Sequence, residues 1–213
     1  MWCWGTGVAL VLGALYVAGH YRGVRRAGAL KPIPIAFLGL LVALEPAPVS
    51  PGYRDLVLAA LAFSMAGDVC LLVPERFFRA GLASFLVAHL FYIAAFVAPG
   101  DPAPTGWLLA APFLVVGAGM LAYLWPHLGR DRVPVVVYVA VLGVMGWQAA
   151  RRAGLATTPA PSGGLALAGA VVFMLSDGIL AVDRFAWRFA AAEGAIMATY
   201  YAAQTLIALS VRS

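Results

Sequence analysis

The sequence predicts an all-α fold: a polytopic membrane bundle of about eight transmembrane helices, forming a single integral membrane domain over residues 1–213. Two observations carry this expectation. Residues of the AVILMFWYC set fill 63% of the 213 positions and charged residues only 11%, whereas a soluble domain is roughly half apolar and about a quarter charged. A chain this short would have to cover its core with polar surface, so the bilayer is the solvent that fits. The second observation is spacing: stretches near the ~20 apolar residues needed to span a membrane recur eight times, separated by short runs of Pro, Gly or charge.

The first stretch, 3–20, is preceded by the uncharged Met1-Trp2-Cys3-Trp4 and followed by Arg22, Arg25 and Arg26. That order describes an uncleaved first helix with an exported amino terminus, not a cleaved signal peptide. The second, 32–48, has Pro32, Pro34, Glu45, Pro46 and Pro48 crowded at its ends. The remaining spans are 55–74, 79–98, 106–125, 133–150, 163–182 and 189–210. Their connections, including 45–54, 74–79, 99–105, 126–132, 151–162 and 183–188, are too short to hold a soluble domain.

Charge orients the bundle. The net charge of +5 comes from 14 basic residues that lie between apolar stretches and form no contiguous stripe, which argues against nucleic-acid binding. Ten of the 14 fall on the odd-numbered connections. By the positive-inside rule those face the cytoplasm, and both termini face away from it. The two cysteines, Cys3 and Cys70, make neither a disulfide framework nor a metal ligand set, and Cys70 reads as a packed, inert thiol.

Ionisable groups inside a bilayer cost at least ~2.5 kcal/mol each on insertion scales and are functional candidates by default. Asp68 follows Phe63-Ser64-Met65-Ala66-Gly67, and Asp177 follows Phe173-Met174-Leu175-Ser176. Each lies six residues before an odd-numbered connection, ~9 Å deep at the helical rise, with Gly67 and Gly178 leaving room for close approach. The two aspartates are 109 residues apart, as are Arg79 and Arg188. This is a faint echo of two parallel four-helix halves, as in transporters built from parallel repeats. The bland alternative is that each aspartate only caps a helix contact.

The fourth span carries Phe85, His89, Tyr92 and Phe96 on one helical face, and the eighth repeats that spacing with Glu193, Met197, Tyr200 and Gln204. Both stripes are expected to point inward. Lys31 enters the second span, where it could snorkel to the interface or meet a phosphate. The three histidines do not suit a three-histidine zinc site: His20 and His127 are expected at opposite faces and His89 between them. Oxygen ligation by Asp68 and Asp177 alone stays open.

These residues resemble a known family. Leu30-Lys31-Pro32-Ile33-Pro34, Phe63-Ser64-x-x-Gly67-Asp68, Gly81-x3-Phe85-x3-His89-x2-Tyr92, Phe173-x2-Ser176-Asp177 and Tyr200-x3-Gln204 together are similar, in order and spacing, to the YhhN-like lysoplasmalogenases. The resemblance implies an eight-helix membrane hydrolase that cleaves the vinyl ether bond of lysoplasmalogens to a fatty aldehyde and a glycerophospho-head group. The chemistry agrees: protonating a vinyl ether at carbon gives an oxocarbenium ion that water captures. One carboxyl must then be kept protonated while another steadies the cation, and apolar burial with a neighbouring carboxylate separates two such groups.

The candidate site is therefore Asp68, Asp177 and His89 for catalysis, with Lys31, Ser64, Tyr92, Ser176, Glu193, Tyr200 and Gln204 around the substrate. No metal, cofactor, nucleic acid or obligate protein partner is expected, only a lysophospholipid and the surrounding membrane lipids. The rival class is a small transporter or lipid-binding protein that couples protons through the same carboxylates.

Overall fold

Each apolar stretch becomes one α-helix in the computed structural model, which describes residues 2–24, 27–97 and 106–212. The expected connection 99–105, the last residue of the span 79–98 and the basic pair Arg25 and Arg26 lie outside the described residues. The helices are α1 (Trp2–Tyr21), α2 (Ile33–Ala43), α3 (Pro51–Cys70), α4 (Pro74–Phe96), α5 (Ala111–Leu124), α6 (Arg132–Ala153), α7 (Ala160–Ala181) and α8 (Ala192–Leu209). Four segments, Arg76–Phe96, Trp107–His127, Gly129–Ala153 and Ala160–Ala186, are long and apolar enough to cross a membrane. The chain is an integral membrane protein.

Local sequence sets the helix ends. Ser50 caps α3, its Oγ accepting from Tyr53 N at 3.1 Å, and Pro51 follows at the first helical position, where a missing N–H costs nothing. The second helix is shorter than its apolar run: α2 stops at Ala43, because Pro46 and Pro48 push the residues before them out of helical backbone. Its 11 residues reach ~16 Å, about half the hydrocarbon thickness. The third helix ends at Cys70, so that free thiol is half-buried near a helix end and not deep in the bundle.

The helices pack in a cycle. α3 lies against α4, α7 against α8, and α6 against both α7 and α4, while α2 touches α1, α3 and α8. α1 closes onto α8, whereas α5 leans mainly on α6 and does not pack closely on α4. Gly169 lets α7 and α8 approach: a Cβ there would sit 2.6 Å from Ile207 and 3.0 Å from a backbone oxygen.

Both ends of the chain meet on one side of the bundle. Trp2 Nε1 donates to Glu45, Arg212 Nε lies 3.9 Å from the same carboxylate, and Pro48 bridges to Arg212. Beneath that clasp, Tyr53 hydroxyl meets Ser210 Oγ at 2.6 Å, and Ser162 joins Ser210 O to the buried Arg152. The opposite side carries the odd-numbered connections, tied by Arg79 to Asp131 at 2.8 Å and by Arg184 over the Phe78 ring. His20 ends α1 and His127 follows α5. Both close odd-numbered helices, so the alternating path returns them to this one side and corrects the expectation of opposite faces.

Candidate active site

The inward stripes of α4 and α8 meet where α3 and α7 bring their aspartates. Phe85, His89, Tyr92 and Phe96 are all buried, as are Met197, Tyr200 and Gln204. Between the stripes stands Phe173 of α7, edge-on to His89 at 4.8 Å, to Tyr200 at 5.6 Å and to Tyr92 at 6.4 Å. This ring divides the polar groups into two sets.

On one side, Asp177 Oδ2 accepts from Tyr138 hydroxyl at 2.7 Å, and His89 Nε2 stands 3.7 Å from the same oxygen. That second separation is too long for a hydrogen bond. His89 is fully buried, clasped edge-on by Tyr138 and Phe173, and neither ring nitrogen has a partner among the described residues. A buried imidazole with both nitrogens unbonded is costly, which marks the position as one held for something else. Asp177 itself opens onto a cavity of about 680 Å³ between α4, α5, α6 and α7, within the usual size range of small-molecule sites. Its walls are apolar, with Leu82, Phe85, Phe113, Met120, Leu142 and Met174 among them, and Asp177 is the one acidic residue among the described lining residues.

On the other side, Asp68 is 1% exposed and Oδ2 accepts from Tyr200 hydroxyl at 2.9 Å. Lys31 and Glu193 lie within electrostatic reach of it. They pair with each other at 3.3 Å, Tyr16 donates to Glu193 at 2.5 Å, and Tyr201 donates to the Lys31 carbonyl at 2.8 Å. Lys31, 6% exposed, neither snorkels nor faces the cavity. The two aspartates were expected to flank one polar cavity. Asp68 does not line the cavity at Asp177, and that cavity is apolar.

The other expected contacts are spent inside the bundle. Ser176 donates to Ile196 O at 3.0 Å, Tyr92 donates to Gln204, and Ser64 Oγ is buried beside Tyr92 without a well-formed hydrogen bond. None of Ser64, Tyr92, Ser176, Glu193, Tyr200 or Gln204 lines the cavity. Gly67 does permit a close approach: the Phe85 ring sits where a Cβ would be, at 2.6 Å, and that ring also packs edge-on against Tyr200. Around Gly178 the neighbour is the mobile end of Met120 at 3.1 Å, a looser fit.

Three features escaped sequence reasoning. Tyr138 gave no signal, being one aromatic in a Val-rich helix. Phe173 entered only as a motif letter. The π-helical turn Val182–Ala186, which edges the cavity through Val182 and Phe185, has no sequence signature, although such turns gather at functional sites. Among the described residues no three His, Cys, Asp or Glu side chains group as a metal site would require.

The YhhN family model matches residues 27–211. The chain belongs to the YhhN family. Its relatives include lysoplasmalogenase TMEM86B of Homo sapiens, 41% identical over 86% of this chain and 74% of that protein. Lysoplasmalogenase TMEM86A of Bos taurus is 36% identical over 72% of this chain and 64% of its own length. A lysoplasmalogenase of Mycobacterium tuberculosis is 34% identical over 81% and 70%. No solved structure matches the chain.

Proposed function

We propose that this YhhN-family membrane protein is a hydrolase that cleaves the vinyl ether bond of lysoplasmalogens, with Asp177 as the reacting carboxyl. One observation carries the reading: the sole acidic side chain among the described lining residues of a large apolar cavity is doubly attended, by the Tyr138 hydroxyl and by an unbonded His89 nitrogen. The lysoplasmalogenase names of relatives at 34–41% identity support the same substrate class.

In this mechanism the alkenyl chain lies in the cavity with its ether at Asp177. The protonated carboxyl gives its proton to the vinyl carbon distal to the ether oxygen; the double-bond pair forms the new C–H bond, and a lone pair of the ether oxygen delocalises onto the neighbouring carbon, giving an oxocarbenium ion. The resulting carboxylate steadies that cation while water adds to the carbon bearing oxygen. The water's proton returns to Asp177, directly or through His89 Nε2. The hemiacetal then breaks its bond to the glycerol oxygen, which takes the hydroxyl proton, releasing aldehyde and glycerophospho-head group. Water is consumed and the acid regenerated. Tyr138 holds the acid's orientation. Asp68 acts one ring away, fixing Tyr200 and hence Phe85 of the cavity wall and Phe173 behind it.

We further propose one membrane domain of two four-helix halves. The neighbours α1–α2, α2–α3 and α3–α4 recur as α5–α6, α6–α7 and α7–α8, and the contacts α4–α6 and α8–α2 also correspond. Both termini are assigned to the non-cytoplasmic face. The charge count and the meeting of the two ends on one side support this; a carboxyl-terminal reporter active only in the cytoplasm should stay silent.

The deciding experiment is aldehyde release by purified protein given a 1-alkenyl lysophospholipid. Wild type should release aldehyde and Asp177→Asn should not. No release by wild type, under conditions where the substrate binds, sinks the reading.

A further inference from the structure

The proposed reaction leaves the substrate's charged end without a partner, since Lys31, the cation the sequence offers for it, is neutralised by Glu193 on the far side of Phe173. We infer that Arg184, whose guanidinium lies over the Phe78 ring beside the cavity, is the phosphate-binding residue and fixes which way the lipid lies. The inference rests on the lysophospholipid reading of the cavity and names the residue that recognises its headgroup.

Four observations converge on it. The Arg184 guanidinium sits 4.3 Å from the centre of the Phe78 ring. Phe78 is itself a cavity wall, packed edge-on at 5.9 Å against Phe185, another wall residue, so the cation stands at the edge of the apolar space. Among the described side chains no carboxylate comes within 4.0 Å of Arg184, whereas Arg79 nearby is paired with Asp131 and Lys31 with Glu193. Finally, Arg184 follows Asp177 by seven residues, about two turns further along α7 and its π-helical turn, ~10 Å on at the α-helical rise. A glycerol backbone with its ester oxygen bridges that distance once the arginine side chain reaches inward.

Arginine suits the role. Its planar fork grips phosphate through two parallel hydrogen bonds, it stays charged at any working pH, and stacking on an aromatic face pre-orients the plane. A purely structural Arg184 would instead sit at the end of α7 to meet the helix dipole. The two roles differ in what they read: a dipole partner is blind to the substrate's headgroup.

The test compares two ether lipids with the same chain, a 1-alkenyl lysophospholipid and the neutral 1-alkenyl glycerol. Arg184→Gln should raise KM for the phosphate-bearing lipid by at least ~10-fold while kcat stays within about twofold, because the phosphate is unchanged in the chemical step and its binding is uniform. Kinetics on alkenyl glycerol should not move, and Arg184→Lys should recover part of the loss. An equal rise on both lipids, or none on either, overturns the inference.

Binding of the non-cleavable 1-alkyl lysophospholipid against 1-alkyl glycerol gives an independent readout. A wild type that prefers the phosphate lipid through Arg184 yet releases no aldehyde removes the hydrolase reading and leaves this site standing. Aldehyde release with no Arg184-dependent preference does the reverse.

Discussion

Asp68 and Asp177 occupy like positions in successive helix pairs, yet they live in different rooms. α1 folds down onto α8 next to Asp68, and the seam is filled by Tyr16, Lys31, Glu193 and Tyr201. Between α5 and α4, next to Asp177, no such packing forms among the described residues, and the apolar cavity occupies the space. One aspartate thus has a cation within reach and a tyrosine, and is 1% exposed. The other has a tyrosine, a histidine nitrogen 3.7 Å away and an apolar cavity beside it. The difference teaches that a carboxyl buried in a membrane becomes reactive by what is left out beside it. On the proposed reading the matched acid, held by Tyr200 with Lys31 in reach, supports the site from behind.

The sharpest way to break this contrast is Asp177→Asn. On the proposed mechanism it lowers kcat by at least ~10²-fold, the low end for general acid–base groups. The protein should still insert and purify, because an amide is cheaper to bury than a charge. Aldehyde release close to wild type from well-folded mutant would remove Asp177 from the chemistry.

Asp68→Asn should also cost activity, but less, and the loss should be shared with Tyr200→Phe so that the double mutant is little worse than either single. A loss for Asp68→Asn as large as that of Asp177→Asn, with Tyr200→Phe harmless, would show both carboxyls meeting the substrate and would erase the distinction between the two rooms.

Next in size come the attendants of Asp177. Tyr138→Phe removes the hydrogen bond that orients the acid and should lower kcat about 10-fold, equivalent to ~1.4 kcal/mol, within the range of an ordinary net hydrogen bond. His89→Gln, which keeps a polar atom near the carboxylate, should retain more activity than His89→Ala. Equal loss in both would argue for proton transfer by the imidazole itself.

The smallest catalytic effect is expected at Lys31. Lys31→Ala strands Glu193, whose side chain is 26% exposed, so the cost in stability should fall between the ~0–1 kcal/mol of a surface pair and the ~3–5 kcal/mol of a fully buried one. Thermal unfolding in detergent would read it, and Lys31→Met with Glu193→Gln should recover most of it. KM for the lysophospholipid should hardly change. A selective rise in KM would return Lys31 to headgroup binding.

Much of the frame was legible because bilayer physics writes it in composition. Eight apolar runs gave eight helices, and the inward faces of α4 and α8 followed from spacing alone. The length of α2 did not, since a run such as 32–48 averages as apolar while its prolines quietly withdraw the backbone from the helix. At the site, Asp177 and His89 stood out as polar groups in apolar segments. Their grouping apart from Asp68 depended on Phe173, a ring that any apolar helix would carry. The pairing of Lys31 with Glu193 joins residues 162 positions apart, and no local pattern encodes it. Tyr138 was silent for the same reason: a tyrosine at mid-helix looks alike whether it packs, anchors or donates.

The brevity of α2 has a mechanical consequence for the lipid around it. A wall only ~16 Å tall meets a film ~30 Å thick, so the groups at its two ends, Lys31 and Glu45, fall at hydrocarbon depth unless the film pinches. The protein supplies each with a partner of its own, Glu193 below and Trp2 with Arg212 above, in place of the water that neither can reach. Length mismatch would otherwise ask the membrane to thin, at a fraction of a kcal/mol per ångström; a partner for each end group lowers the cost of holding Lys31 and Glu45 at that depth.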